Sequence, residues 1–102
     1  MAHDAAMYAA RLLTDGYCIV PDAYPAATIA ALDTEISARF AATPFCEGDF
    51  YGVRTKRFGA LLRRSAHAAS LVQHRLVLKI VDAVLGQFCD RFVLNLTQAI
   101  EI

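Results

Sequence analysis

Phe92-Val93-Leu94-Asn95-Leu96-Thr97-Gln98-Ala99-Ile100-Glu101-Ile102 is the stretch on which the fold turns. Its alternation predicts a strand with Phe92, Leu94, Leu96, Gln98, Ile100 and Ile102 on one face and Val93, Asn95, Thr97, Ala99 and Glu101 on the other. The first face is apolar except at Gln98, so it is the face expected to point inward. A buried primary amide is costly unless it is hydrogen-bonded. Gln98 therefore either bonds a neighbouring loop or meets a polar ligand inside the fold.

Upstream, the spacing predicts a helix carrying Ala5, Met7, Tyr8, Ala9, Leu12 and Leu13, capped by Asp4 and stopped at Gly16. Tyr17-Cys18-Ile19-Val20 reads as a short strand closed by Pro21 and Asp22. Pro25 opens a second helix, in which Ile29, Leu32, Ile36 and Phe40 recur at helical spacing and Glu35 pairs with Arg39 outside. From Ala41 to Gly52 no period holds, and a loop of that length suggests work beyond connection. Lys56 to Phe58 is briefly extended, and short helical pieces begin at Gly59 and restart after a Ser65 cap. Leu76, Val77, Ile80, Val81, Val84 and Leu85 form the apolar stripe of a last helix that Gly86 ends. Two strands as far apart as Tyr17–Val20 and Phe92–Ile102 make no self-sufficient sheet, so the sheet is expected to be completed elsewhere.

With 102 residues, 57% of them apolar, the chain makes one domain at most, read as a single partial domain over 1–102. Ten basic and ten acidic side chains cancel, which argues against generic attraction to nucleic acid or an anionic membrane. No apolar run approaches the roughly eighteen residues of a membrane span. Met1-Ala2-His3-Asp4 lacks a basic leader, so a cytoplasmic protein is expected. Cys18, Cys46 and Cys89 are odd in number and widely spaced, which speaks against a disulfide framework or a thiolate zinc site. Arginine outnumbers lysine eight to two, which favours a bacterial source.

Three segments together carry a resemblance: Leu13-Thr14-Asp15-Gly16-Tyr17-Cys18-Ile19-Val20-Pro21, Gly52-Val53-Arg54-Thr55-Lys56-Arg57-Phe58-Gly59-Ala60-Leu61-Leu62, and Leu94 through Ile102. In order and content they resemble the N-terminal part of the phytanoyl-CoA dioxygenase family, non-haem iron oxygenases that use 2-oxoglutarate. The resemblance implies an α+β architecture: N-terminal helices plus the first strands of a double-stranded β-helix, or jelly roll. It also implies Fe(II) and 2-oxoglutarate as cofactors of a longer parent protein, and a small-molecule substrate. The family's iron ligands are two histidines and a carboxylate, the first two as His-x-Asp or His-x-Glu. His3, His67 and His74 are each followed by other residues, so no such pair exists here. Chemistry by this chain alone is therefore not expected. Gln98 matches a family glutamine that contacts the 2-oxoglutarate carboxylate or the substrate, and Asn95 falls on the opposite strand face.

Arg54, Lys56, Arg57, Arg63 and Arg64 can bind an acidic cosubstrate, a carboxylated substrate or a phosphate, or can be a solvated face. Arg57 alternates out of phase with Arg54 and Lys56, so in an extended stretch the three cannot all point one way; Arg57 and Arg54 are the members expected to face a site. His67 and His74 are expected to be surface or packed histidines with a turn between them, and two histidines alone make a poor metal site. Cys46 and Cys89 lack a sequence-adjacent activator, and Phe50 and Tyr51 either line a substrate entrance or pin their loop. Two functions follow. One is the N-terminal portion of an iron and 2-oxoglutarate dependent dioxygenase that oxidises a C–H bond. The other is a non-catalytic helical module that self-associates or binds a partner through the open Phe92–Ile102 strand.

Overall fold

A computed structural model of the protein describes residues 2–102. Met1 and the His3 side chain, which bear on the leader and iron-ligand expectations, lie outside what is described. The helices are Ala2–Asp15 (α1), Ala26–Ala41 (α2), Gly48–Tyr51 (α3), Leu61–Arg64 (α4), Ala68–Val72 (α5) and Arg75–Leu85 (α6). Two strands, Lys56–Gly59 (β1) and Gln98–Glu101 (β2), interleave with them and pair antiparallel. The chain divides into two compact units, Met1–Tyr24 with Ser70–Val93 and Pro25–Ala69 with Leu94–Ile102. No helix among the described residues is long and apolar enough to cross a membrane.

In the first unit α1 packs on α6. Ala5, Tyr8 and Leu12 share one face of α1, and they meet Leu76 and Ile80, one turn apart on α6. Gly16 stops α1 as expected, with φ +85 and its amide bonded to the Leu12 carbonyl at 2.9 Å. Asp4 is not the cap: α1 begins at Ala2, which places Asp4 in the first turn, where a carboxylate suits the helix dipole. Tyr17–Val20 alternates in burial as a strand would, Cys18 and Val20 packing inward and Tyr17 and Ile19 facing out. It nevertheless joins no sheet among the described residues. Gly86 follows α6 but with φ −60, not in a left-handed stop; what it supplies is room, since a Cβ there would lie 2.5 Å from the Asp82 carbonyl oxygen.

His74 begins α6. Its Nδ1 accepts from the Val77 amide at 3.5 Å and its Nε2 lies 2.7 Å from the Ala23 carbonyl, the geometry of a neutral ring protonated on Nε2. Tyr24 stands edge-on to this ring at 4.8 Å and donates its hydroxyl to the Leu71 carbonyl. A turn does separate His67 from His74, and His74 is structural.

In the second unit the β1–β2 register pairs Lys56 with Glu101, Arg57 with Ile100, Phe58 with Ala99 and Gly59 with Gln98. Phe58 and Ala99 therefore share one face, and both are buried with Phe40 of α2, whose ring meets Phe58 edge-on at 4.8 Å. Ile36 and Leu61 complete this cluster. The small Ala99 leaves the space into which α2 brings Phe40. Lys56 lies on the same side and donates to the Phe40 carbonyl at 3.1 Å, an oxygen at the end of α2 that also accepts from the Thr43 amide at 3.1 Å.

Three expectations are corrected here. The C-terminal strand is four residues long, since residues 92–97 run irregular before it. Its buried face is that of Ala99, and Gln98 is exposed with Ile100. The apolar face loses because its cross-strand partners are Arg57 and Gly59, which offer no apolar surface to pack, whereas Phe58 does. Glu35 also does not pair with Arg39: its carboxylate turns to residues 65–67, and the Arg39 guanidinium lies 5.9 Å from the centre of the Phe58 ring.

Candidate functional site

The sheet face away from Phe58 is built by β1, β2 and the loop before them. Gly48 and Gly52 both adopt positive φ, +84 and +82, and bracket the single turn of α3; the Gly52 amide bonds the Gly48 carbonyl at 3.0 Å. The Cys46 amide donates to the Thr55 carbonyl at 2.8 Å, which holds the start of this loop alongside the approach to β1. The outcome is that Tyr51 lies against Arg57, ring centre to guanidinium carbon 5.2 Å. Such a contact contributes about 0.5–1 kcal/mol at an exposed site and fixes a long side chain in place.

Cys46, Glu47, Tyr51, Arg57 and Gln98 line one open depression of about 510 Å³, within the size range of small-molecule sites. Two of the three site residues expected from the sequence, Arg57 and Gln98, are thus brought together. They reach it because both point to the face opposite Phe58, Gln98 being diagonal to Arg57 in the register. Arg54 is not with them; it is exposed in the turn before β1. Lys56 occupies the inner face, Arg63 accompanies Asn95, Leu94 and Leu96 along a separate depression, and Arg64 lies near Arg39 and Glu35.

Arg57 Nε is shielded from water and has no hydrogen-bond partner. A buried donor left in that state costs about 1–3 kcal/mol, which a ligand oxygen would recover. Carboxylate or phosphate oxygens suit a guanidinium best. The residues present therefore fit the carboxylate end of a small acid. They do not fit iron: among the described residues no three His, Cys, Asp or Glu side chains are grouped so as to hold a metal ion. Phe50 is largely exposed and stands edge-on to Tyr51 at 5.1 Å, at the rim and not in the core.

A second polar cluster was not legible in the sequence. Glu35 of α2 accepts from the Ser65 hydroxyl through Oε2 and from the Ala66 amide through Oε1 at 3.2 Å, and His67 Nδ1 lies 3.1 Å from Oε2. Ser65 also accepts from the His67 amide at 3.1 Å, a local turn bond; it does not cap the next helix as expected, because α5 starts three residues later at Ala68 and Ser65 closes α4 instead. The Ser65 hydroxyl, then the His67 ring, hold the Glu35 carboxyl below its ordinary range against a smaller opposing effect of burial. Serine, histidine and glutamate in contact invite comparison with a nucleophilic triad, but the connections are wrong. Ser65 is buried and donates to the carboxylate, while the imidazole faces that same carboxylate, so no base receives a serine proton on the way to a substrate. The cluster is a clasp between α2 and the segment after α4. The only sequence signal was an acid on α2 near in space to Ser-x-His, which spacing along the chain cannot reveal.

Cys18, Cys46 and Cys89 are all free thiols; Cys46 is half-buried and Cys89 donates to the Leu85 carbonyl at 3.3 Å. Comparisons with protein families, with characterised proteins and with solved structures find no match to this chain.

Proposed function

We propose that this chain is the N-terminal portion of a non-haem Fe(II) and 2-oxoglutarate dependent dioxygenase that oxidises a C–H bond of a small organic substrate. The observation that supports the reading is the placement of Arg57 and Gln98 on one sheet face beside one depression, with Arg57 Nε lacking a hydrogen-bond partner. Helical support and a two-stranded antiparallel start of a sheet are compatible with the outset of a jelly roll. When bound, 2-oxoglutarate supplies the electrons released by its oxidative decarboxylation. Arg57 would hold a carboxylate of that cosubstrate or of the substrate, Gln98 would donate an amide N–H to it, and Tyr51 would keep the guanidinium in position. The iron ligands would come from outside these residues, so the chain alone would turn nothing over.

The test is the reading frame downstream of codon 102 together with an assay of the isolated chain. A frame that soon encodes His-x-Asp or His-x-Glu and a distant second histidine supports the proposal. Succinate formation from Fe(II) and 2-oxoglutarate by these 102 residues alone would refute the statement that they lack an iron site.

A second reading has its own observation. Leu94, Leu96, Ile100 and Ile102 are exposed, the last 98% so, on a segment that among the described residues pairs in a sheet with β1 alone. Such an edge suits a non-catalytic module that self-associates or binds a partner by adding strands. Light scattering across a hundredfold range of concentration would show a growing mass; a constant monomer mass excludes self-association.

A further inference from the structure

The depression that holds Arg57 also holds a carboxylate, Glu47, and among the described residues the two do not form an ion pair. Neither the Glu47 carboxylate nor the Gln98 side-chain amide has a hydrogen-bond partner among the described residues, and Arg57 Nε has none either. Arg57 and Glu47 thus present opposite charges to one open depression without closing on each other. The site as a whole is neutral.

A dicarboxylate such as 2-oxoglutarate matches that arrangement poorly, since its second carboxylate would be repelled by Glu47. A molecule bearing both charges matches both. We infer that the Arg57–Gln98–Glu47 depression binds the zwitterionic head of a small α-amino acid, its carboxylate on Arg57 and Gln98 and its ammonium on Glu47. The inference rests on the carboxylate-binding reading of Arg57 and Gln98, and it makes this depression a substrate site and not the cosubstrate's. Tyr51 lies against the guanidinium, 5.2 Å from ring centre to guanidinium carbon, and holds it beside the depression. Ile100, the cross-strand partner of Arg57, is half exposed beside it and offers apolar surface to an aliphatic side chain.

The experiment is an NMR titration of the 102-residue chain, following the Arg57 Nε–H and Gln98 amide signals, with L-leucine, 4-methylpentanoate and 2-oxoglutarate. The first two share a carbon skeleton and differ in the ammonium group. Leucine is expected to bind about tenfold more tightly than either acid, the size of one charge-assisted contact. Glu47→Gln should abolish that advantage while keeping 4-methylpentanoate binding, and Arg57→Met should weaken all three. Gln98→Leu serves as the second variant if Arg57→Met disturbs the spectrum. Equal binding of leucine and 4-methylpentanoate to the wild-type chain overturns the amino-acid inference and leaves the carboxylate reading standing. Tighter binding of 2-oxoglutarate than of leucine does the same. No shift with any of the three overturns both.

Discussion

Ala99 faces Phe58 across the two-stranded sheet, and that one pairing puts Gln98 on the side of Arg57. The methyl group at 99 is small enough for Phe40 to reach Phe58, so α2 packs on this face, and the other face is left to polar groups. Position 99 thus decides where the core is and, through the alternation of the strand, where the candidate site is.

Phe58→Ala should remove the centre of the second unit's core. Large-to-small changes at buried aromatic positions cost about 3–5 kcal/mol, and a ring that is 7% exposed belongs near the lower figure. Urea denaturation should show the lost stability, and hydrogen exchange should show the β1–β2 amides opening first. Unchanged protection of these amides would contradict the packing described here.

Glu35 makes stability depend on acid. Its carboxyl is held below the ordinary 4.5 by Ser65 and His67, so the contribution is fully present above pH 4.5 and is lost as pH falls through the lower folded value. Wild type should therefore weaken below pH 4.5 more steeply than Glu35→Gln, which should be less stable at pH 7 and flatter in that window. Superimposable acid-unfolding curves for the two proteins would mean that the clasp contributes nothing.

His74→Ala should cost about 0.5–2 kcal/mol, the range for losing a helix N-cap. The Val77 amide at the start of α6 should exchange faster, and His74→Asn should recover part of the loss because an asparagine oxygen can accept the same bond. Thermal unfolding and amide exchange measure both effects; equal stability of wild type and the alanine variant would refute the capping role.

Thr97→Val keeps the side-chain shape but deletes the oxygen that accepts from the Leu61 amide at 2.9 Å. The expected loss is about 1–3 kcal/mol, since the partly buried amide at the start of α4 is left without its partner. If exchange of the Leu61 amide is unaltered in this variant, water replaces the hydroxyl and the bond is not structural.

Much of the helical layout follows from the order of residues alone. The period of Ala5, Tyr8 and Leu12, the glycine after Asp15, the Leu76–Ile80 spacing and the extended Lys56–Phe58 stretch are set by local geometry, and so is the opposition of Lys56 to Arg57. Alternation in residues 92–102 likewise sorts its side chains into two sets, but it does not say which set is inward. That choice required a partner: Phe58 opposite Ala99 provides apolar surface to bury, and Arg57 opposite Ile100 does not. The same holds for the polar sites. Glu47 and Gln98 are 51 positions apart, and Glu35 and Ser65 are 30 apart, so only the folded chain brings them within reach of shared partners. Sequence determines what each short segment prefers because those preferences arise between neighbours; tertiary structure decides burial and the grouping of charges because both depend on contacts between residues distant along the chain.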